Sequence, residues 1–278
     1  MPTREQTMAD AVRLFANADY PTGMNVSSAW LGIYQALLWY EPVNWLDFDY
    51  LPHIIDADKL RPSSSNKKKS WSKPGAWQLR ASKVNNYLAS VLGCAPDHLL
   101  VKTDLLMRLP NYVGMQRQNT LGIAFIGLVK HVLDRFGSKD VLYKTEVDAG
   151  AVFPGITFLG RSSTPRIDLL VERDGVPRTV ISAKWSLRHD RMSDLTNECP
   201  VYKAAYERVF RGLKRDRMSY YVITNEFDPS RLNKILDDTC VDGVIHIHKP
   251  MVVEVCELDG RLGRLIDLKD FINYTLSW

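Results

Sequence analysis

The chain has 278 residues, 45% of them hydrophobic and 24% charged, with a formal net charge of +4. That is the composition of an ordinary globular chain, large enough for one big α/β domain or a domain with a subdomain. No apolar run reaches transmembrane length, which excludes a helical membrane protein, and the mildly basic balance permits nucleic-acid binding without demanding it.

Residues 1–110 read as mainly helical. The opening MPTREQTMAD lacks the apolar core of a signal peptide, and Thr7–Ala18 is amphipathic through Met8, Ala11, Val12 and Phe15. Ser27 and Ser28 are candidate caps for a helix over 29–40, whose Trp and Tyr residues suit a core. Residues 61–75, RPSSSNKKKSWSKPG, form a polar loop with Lys67, Lys68, Lys69 and Lys73. These lysines read either as a solvated surface or as an arm onto phosphates, which gives salt-sensitive, sequence-neutral affinity. Residues 111–278 read as an α/β core. A helix is predicted over Thr120–Phe136, then a strand through Lys144–Asp148, where Glu146 is a spare acidic ligand or a surface charge.

The central stretch follows. Arg166–Val171 is an apolar run broken by Asp168, and Asp174-Gly175-Val176-Pro177 supplies a turn. Thr179–Trp185 is the return strand. Strand alternation puts Asp168 on one face with Arg166 and Leu170, and Lys184 on one face with Ser182. A charge in so apolar a run is costly unless paired or bound to an ion, so Asp168 and Lys184 make either a buried ion pair or an ion site. Pro200 is expected in the first turn of a helix beginning near 194–200. The stripe Tyr202, Ala205, Tyr206, Val209 and Leu213, projected back, puts Leu195 and Glu198 on its inward face. The alternative for Glu198 is an acid favoured by the helix dipole.

That helix is expected to run to about Arg215 and is basic at its end through Arg208, Arg211, Lys214, Arg215 and Arg217. Met218–Thr224, Val241–Ile247 and Pro250–Leu258 read as strands, and Asp267–Tyr274 as a closing helix. Cys94, Cys199, Cys240 and Cys256 form no CxxC pair and read as reduced thiols. The histidines show no metal-binding spacing; His246 and His248 suit packing or surface roles.

Pro165, Asp168 and Lys184 resemble the PD-(D/E)XK nuclease superfamily, in which an acidic residue stands two before the Lys. Here that position is Ser182. Ser182-Ala183-Lys184 followed by Glu198 resembles the branch of type II restriction endonucleases whose targets contain CCGG, which draw the missing Glu from the following helix. Arg188-His189-Asp190-Arg191 resembles that branch's Arg-X-Asp-Arg segment. Val222-Ile223-Thr224-Asn225-Glu226-Phe227-Asp228-Pro229-Ser230-Arg231 resembles its Val-Thr-X-Glu-X-X-Pro-X-Arg with one extra residue between Val and Thr, and the matching motifs span about 165–231.

The resemblance implies a restriction-endonuclease-like fold, a mixed β-sheet core flanked by helices, with a mostly helical N-terminal part. It implies Mg²⁺ held by Asp168 and Glu198, with Lys184 and Ser182 completing the catalytic set. Arg188, Asp190 and Arg191 would read the CCGG core, since Arg forks onto guanine O6 and N7 and Asp accepts from cytosine N4. Gln116 and Gln118 would reach the minor groove and Arg231 the outer base pair. The helix over 120–136 has no Glu where the branch carries a further one near the metal. The implied partner is double-stranded DNA, bound as a homodimer in a bacterial cytoplasm without membrane association. Cleavage would fall 5′ of CCGG and leave 5′ overhangs with 5′-phosphates, and overall resemblance suggests ACCGGT as the full target. Two other readings stay open. One is a repair or junction-resolving nuclease of the same fold. The other is a non-catalytic DNA-binding protein in which Ser182 marks a decayed site.

Overall fold

A computed structural model describes residues 3–17, 25–30, 32, 33, 36, 95, 115–158, 165–187, 192–212, 217–226, 228–256, 258 and 262–278. The chain divides into two units, Met1–Asp19 with Leu31–Ala124, and Tyr20–Trp30 with Phe125–Trp278. In the first, helix α1 (Arg4–Asn17) starts ahead of the expected Thr7. The reason is a reciprocal cap: Thr3 Oγ1 accepts the Gln6 N–H, and Gln6 Oε1 accepts the Thr3 N–H. Ala11 and Phe15 are buried as the amphipathic pattern requires.

In the second unit, Asn25 rather than Ser27 or Ser28 caps the 3₁₀ turn Val26–Ser28, with its side-chain oxygen accepting both serine N–H groups. Helix α2 (Met115–Phe136) is longer than expected and crosses the division between the units. It stops at Gly137, where a Cβ would lie 2.5 Å from Tyr143 Oη and 2.7 Å from the Leu133 carbonyl. Only glycine fits that approach.

The described residues then build a six-stranded sheet with strands in sequential order. Its strands are β1 (Leu142–Asp148), β2 (Arg166–Arg173), β3 (Val176–Lys184), β4 (Ser219–Thr224), β5 (Gly243–His246) and β6 (Leu265–Asp267). The first three are antiparallel, and β3 through β6 are parallel. Asp174 and Gly175, at φ 53° and 76°, make the two-residue β2–β3 turn, since both positions need left-handed backbone. Pro177 lies inside β3 instead of in the turn. It sits opposite Glu172, where the register shifts, and a residue without an N–H is tolerated at such a break.

The remaining helices are α3 (Ala149–Val152), α4 (Met192–Val209), α5 (Pro229–Leu236), α6 (Lys249–Val255) and α7 (Leu268–Thr275). Helices α4, α5 and α6 connect successive parallel strands that always advance in one direction. Right-handed crossovers then put all three on one face. Their Tyr202, Leu232, Ile235 and Val252 share a core with Val180, Tyr220, Val222 and Leu265. On the opposite face Phe125 of α2 meets Trp185, and Phe271 of α7 meets Tyr221, with ring centroids 5.4 and 5.2 Å apart. Each such buried side chain contributes about 1.5–3 kcal/mol. The mixed α/β class expected from the sequence is what forms.

The three crossover helices also differ from expectation. The apolar run after Pro250 is helix α6, not a strand; Pro250 sits in its first turn, where a missing N–H is harmless. Helix α4 begins at Met192, so Pro200 lies in its interior, and it ends at Val209 rather than near Arg215. Helix α5, begun by an Asp228 cap and Pro229, was not anticipated. Among the described residues, no helix is long and apolar enough to cross a membrane.

The reading of the cysteines as reduced thiols is corrected for one pair. Cys199 and Cys240 form a disulfide with Cα atoms 6.0 Å apart. They are 41 residues apart in sequence and meet only because α4 packs beside the segment leading into β5. Lys203 reinforces this junction by donating to the Cys240 carbonyl at 2.5 Å and pairing with Asp242 at 2.7 Å. Cys256 is a buried free thiol, and Cys94 lies outside the described residues. By loop-closure entropy, opening the disulfide should cost about 4 kcal/mol. Denaturant midpoints of the wild type with a dithiol reductant and of Cys240→Ser without it should fall together below the oxidised wild type. A wild-type midpoint indifferent to reductant would contradict the pairing.

Candidate functional site

The ladder between β2 and β3 pairs Leu169 with Ile181, and one step further Asp168 lies across from Ser182. There the carboxylate takes over from the backbone as acceptor. Asp168 Oδ2 receives the Ser182 hydroxyl at 3.2 Å, the Ala183 N–H at 3.0 Å and Lys184 Nζ at 2.5 Å. All three donors use the same oxygen. The Asp168 side chain is 15% exposed and that of Lys184 35%, so the pair sits at the rim of the core. Burial opposes the Lys184 charge, but Asp168, then Glu198 and Glu146, outweigh it and hold the ammonium above the ordinary lysine range.

Glu198 comes from α4, half-buried on the face the helical stripe predicted. Its Oε2 accepts the Tyr220 hydroxyl at 3.4 Å. Tyr220 is fully buried, and burial, followed by Glu198, pushes its phenol far above the normal range. Tyr202, one turn beyond Glu198, is raised by burial and then by Glu198 and Asp168. Asp168, Lys184 and Glu198, drawn from two strands and a helix, thus share one neighbourhood, with Ser182 buried among them.

Glu146 stands at a break in the β1–β2 ladder. It occupies the gap between the Thr145–Leu169 and Val147–Ile167 pairs, across from Asp168, in left-handed backbone at φ 53°. Such backbone in a non-glycine residue costs roughly 1–3 kcal/mol. Its carbonyl accepts Arg166 Nη1 at 3.1 Å, and its carboxylate is near enough to act on Lys184.

Among the described residues, no three His, Cys, Asp or Glu side chains group as a ready metal cage. The donor set on offer is hard carboxylate oxygen from Asp168 and Glu198. That suits Mg²⁺, which keeps several waters and needs only one or two protein carboxylates.

The expected DNA contacts divide differently. Arg188, Asp190, Arg191, Lys67, Lys68 and Lys69 lie outside the described residues. Gln116 and Gln118 lie in the first turns of α2. Arg231, on α5, is engaged with protein: its Nη1 is 3.3 Å from Glu226 Oε2 and its Nε 3.8 Å from Asp228 Oδ2.

Glu226 itself is a residue the sequence reading quoted without a role. Its buried carboxylate accepts the Leu187 N–H at 2.7 Å and the Asp228 N–H at 2.9 Å. Its carbonyl meets His246 Nε2 at 3.0 Å, while His246 Nδ1 accepts the His248 N–H, which places the imidazole proton on Nε2. Tyr202 was read only as a helix-stripe residue, although its i, i+4 spacing from Glu198 puts both on one face; Tyr220 was read only as a strand residue, and nothing in the sequence signals its contact with Glu198.

No protein-family model matches the chain, and no curated protein matches it. Solved structures do show a likeness. The chain is similar to metal-depleted Ecl18kI in complex with uncleaved DNA, with TM-score 0.35 and 13% identity over 99% of this chain and 84% of that one. It is similar in the same degree to metal-depleted Ecl18kI in complex with uncleaved, modified DNA, with TM-score 0.35 and 13% identity over 100% and 85%. Similarity at that level transfers no residue roles, so the reading of the site rests on its own geometry.

The buried histidine gives a pH test. Burial lowers the His246 pKa from 6.5 to about 4. A depressed folded-state value means its stabilisation is complete above 6.5 and is lost as pH falls toward 4. Between pH 7 and pH 5 the wild type should lose about 2 kcal/mol relative to His246→Gln. Parallel stability–pH curves for the two proteins in urea titrations would show that His246 is not buried neutral.

Proposed function

We propose that this chain is a Mg²⁺-dependent, sequence-specific DNA endonuclease of the type II restriction class. It cleaves both strands of a palindrome containing CCGG and acts as a homodimer on the duplex, palindromy of target matching two-fold symmetry of protein. The observation that carries this reading is the convergence of Asp168, Ser182, Lys184 and Glu198 from β2, β3 and α4.

Asp168 and Glu198 supply the oxygens that would hold Mg²⁺. Bound there, the ion neutralises phosphate charge and lowers the pKa of a coordinated water. Lys184, held protonated, stabilises charge that develops on the phosphate and orients the attacking water. Ser182 keeps Asp168 Oδ2 in place without adding the charge of the carboxylate it replaces. Arg188, Asp190 and Arg191 read the core, with Gln116, Gln118 and Arg231 as further contacts and Lys67, Lys68 and Lys69 on phosphates. Cleavage 5′ of CCGG, within ACCGGT, leaves 5′-phosphates and 5′ overhangs. The working place is a bacterial cytoplasm.

One observation favours a second reading. Asp168 Oδ2 is already bonded to Lys184, and Ser182 replaces a carboxylate, as in a DNA-binding protein that has lost catalysis.

Cleavage of mixed plasmid DNA with Mg²⁺, followed by sequencing of the ends, separates the readings. CCGG at every end supports the proposal and supplies the flanking pair. Structure-specific or random cuts point to a repair nuclease. A sequence-specific gel shift without cuts in Mg²⁺ or Mn²⁺ points to the binding protein. Glu198→Ala should abolish cutting and leave target binding intact; undiminished cutting removes Glu198 from the site. Arg188→Ala should weaken target binding by about 1–3 kcal/mol per half-site and leave random DNA little affected. An equal loss on all DNA would make it a phosphate contact.

A further inference from the structure

Glu198 is borne on a helix, yet its partners stand on strands. A glutamate has three rotatable side-chain bonds, and without a partner its carboxylate would sample several positions relative to Asp168. The structure offers a partner of the right kind. Tyr220 lies on β4, fully buried, with its ring 6.4 Å from that of Tyr202. A hydroxyl so placed requires a hydrogen-bond partner, and it finds one in Glu198 Oε2 at 3.4 Å. Ser182 and Tyr220 each spend their single hydroxyl proton on a carboxylate, Ser182 on Asp168 and Tyr220 on Glu198. The two hydroxyls thus hold Asp168 of β2 and Glu198 of α4 separately, without introducing a positive charge. A lysine or arginine in place of Tyr220 would fix Glu198 equally well, but it would cancel the negative charge a cation needs.

The backbone of the same residue is fixed too. The Tyr220 N–H donates to Asp242 Oδ2 at 2.7 Å, and Asp242 holds Lys203 of α4. One residue of β4 is therefore tied twice to the Glu198 turn, once through each end.

We propose that Tyr220 is a positioning residue for Glu198: its buried hydroxyl holds one carboxylate oxygen so that the other faces Asp168 across the cation site. This rests on the assignment of Glu198 as a ligand in the proposed function. Tyr220 touches neither substrate nor ion. It acts through Glu198.

The test uses Tyr220→Phe, which removes one oxygen and keeps the ring. Mn²⁺ binding to the full chain, read by electron paramagnetic resonance of the free ion, should weaken roughly 10–100-fold, the usual cost of losing a ligand's hydrogen-bond partner. The Mg²⁺ concentration for half-maximal cutting should rise in step, with the KM for DNA unchanged. Val222→Ala, on the same strand and in the same core, serves as the control for loosened packing. It should lower Tm and leave Mn²⁺ affinity intact. Unchanged Mn²⁺ affinity in Tyr220→Phe, or an equal loss in Val222→Ala, overturns the positioning role. Glu198→Ala separates the two levels of the argument. If it binds Mn²⁺ as the wild type does, Glu198 is no ligand and the functional reading falls with the inference. If it loses Mn²⁺ while Tyr220→Phe does not, only the inference falls.

Discussion

A carboxylate in the middle of an apolar strand sets the terms for the rest of this structure. Asp168 stands between Ile167 and Leu169, both buried, and an unpaired charge there would be costly. The chain answers with three consecutive residues of β3, Ser182, Ala183 and Lys184, all donating to one oxygen. That convergence fixes the β2–β3 register at its open end, beyond the last ladder pair. It also decides where Lys184 points, and with that the location of a lysine held under the joint influence of Asp168, Glu198 and Glu146. A structural ion pair and an ion site share this starting geometry. What distinguishes them is the further negative charge gathered around the pair, because one Lys is more than balanced by the Asp and Glu residues that act on it.

The sheet topology explains how a helix reaches that place. Strands β3 to β6 advance in one direction, so their crossovers stack on one face, and the first of them, α4, must pass over β3 and β4. Its inward stripe then lies against Tyr220 and Val180. Three ties hold it there: the Cys199–Cys240 disulfide, the Lys203–Asp242 pair and the Tyr220 hydroxyl on Glu198. All fall within residues 198–203, a little more than one turn. Pro200 lies inside that same turn and removes one helical N–H. The turn carrying the carboxylate is thus fastened from outside the helix where the helix's own bonding is weakest.

Much of this was legible because it depends on periodicity. The apolar runs 166–171 and 179–185, parted by a turn, marked both strands, and the stripe from Tyr202 put Glu198 on the inward face of its helix. The misreadings have physical causes of their own. A short apolar run such as 251–253 fits a strand or a helical turn equally well, and flanking Pro250 decided for helix α6. A cysteine pair 41 residues apart is joined only by tertiary packing. The left-handed backbone of Glu146 follows from the ladder it interrupts, and its sequence neighbourhood gives no sign of it. Tyr220 read as one more aromatic core residue, since a phenol's hydrogen-bond partner is set by what crosses above it.

Glu226 shows how the two ends of the site are joined. Strand β3 leaves the sheet at Lys184 and β4 at Thr224, side by side. The Trp185 carbonyl accepts the Asn225 N–H at 3.1 Å, and Glu226 accepts the Leu187 N–H in return. The same carboxylate holds Arg231 Nη1. A buried acid satisfied in this way has little freedom, so the backbone entering residue 188 and the guanidinium of Arg231 share one rigid support beside Lys184. An arginine contacting DNA from this position would do so with two of its nitrogens already facing carboxylates. Nη1 keeps a second N–H and Nη2 both of its own, so three donors stay open on a guanidinium whose position is fixed. The clamp therefore ties the ends of β3 and β4 to the first turn of α5 through one buried carboxylate.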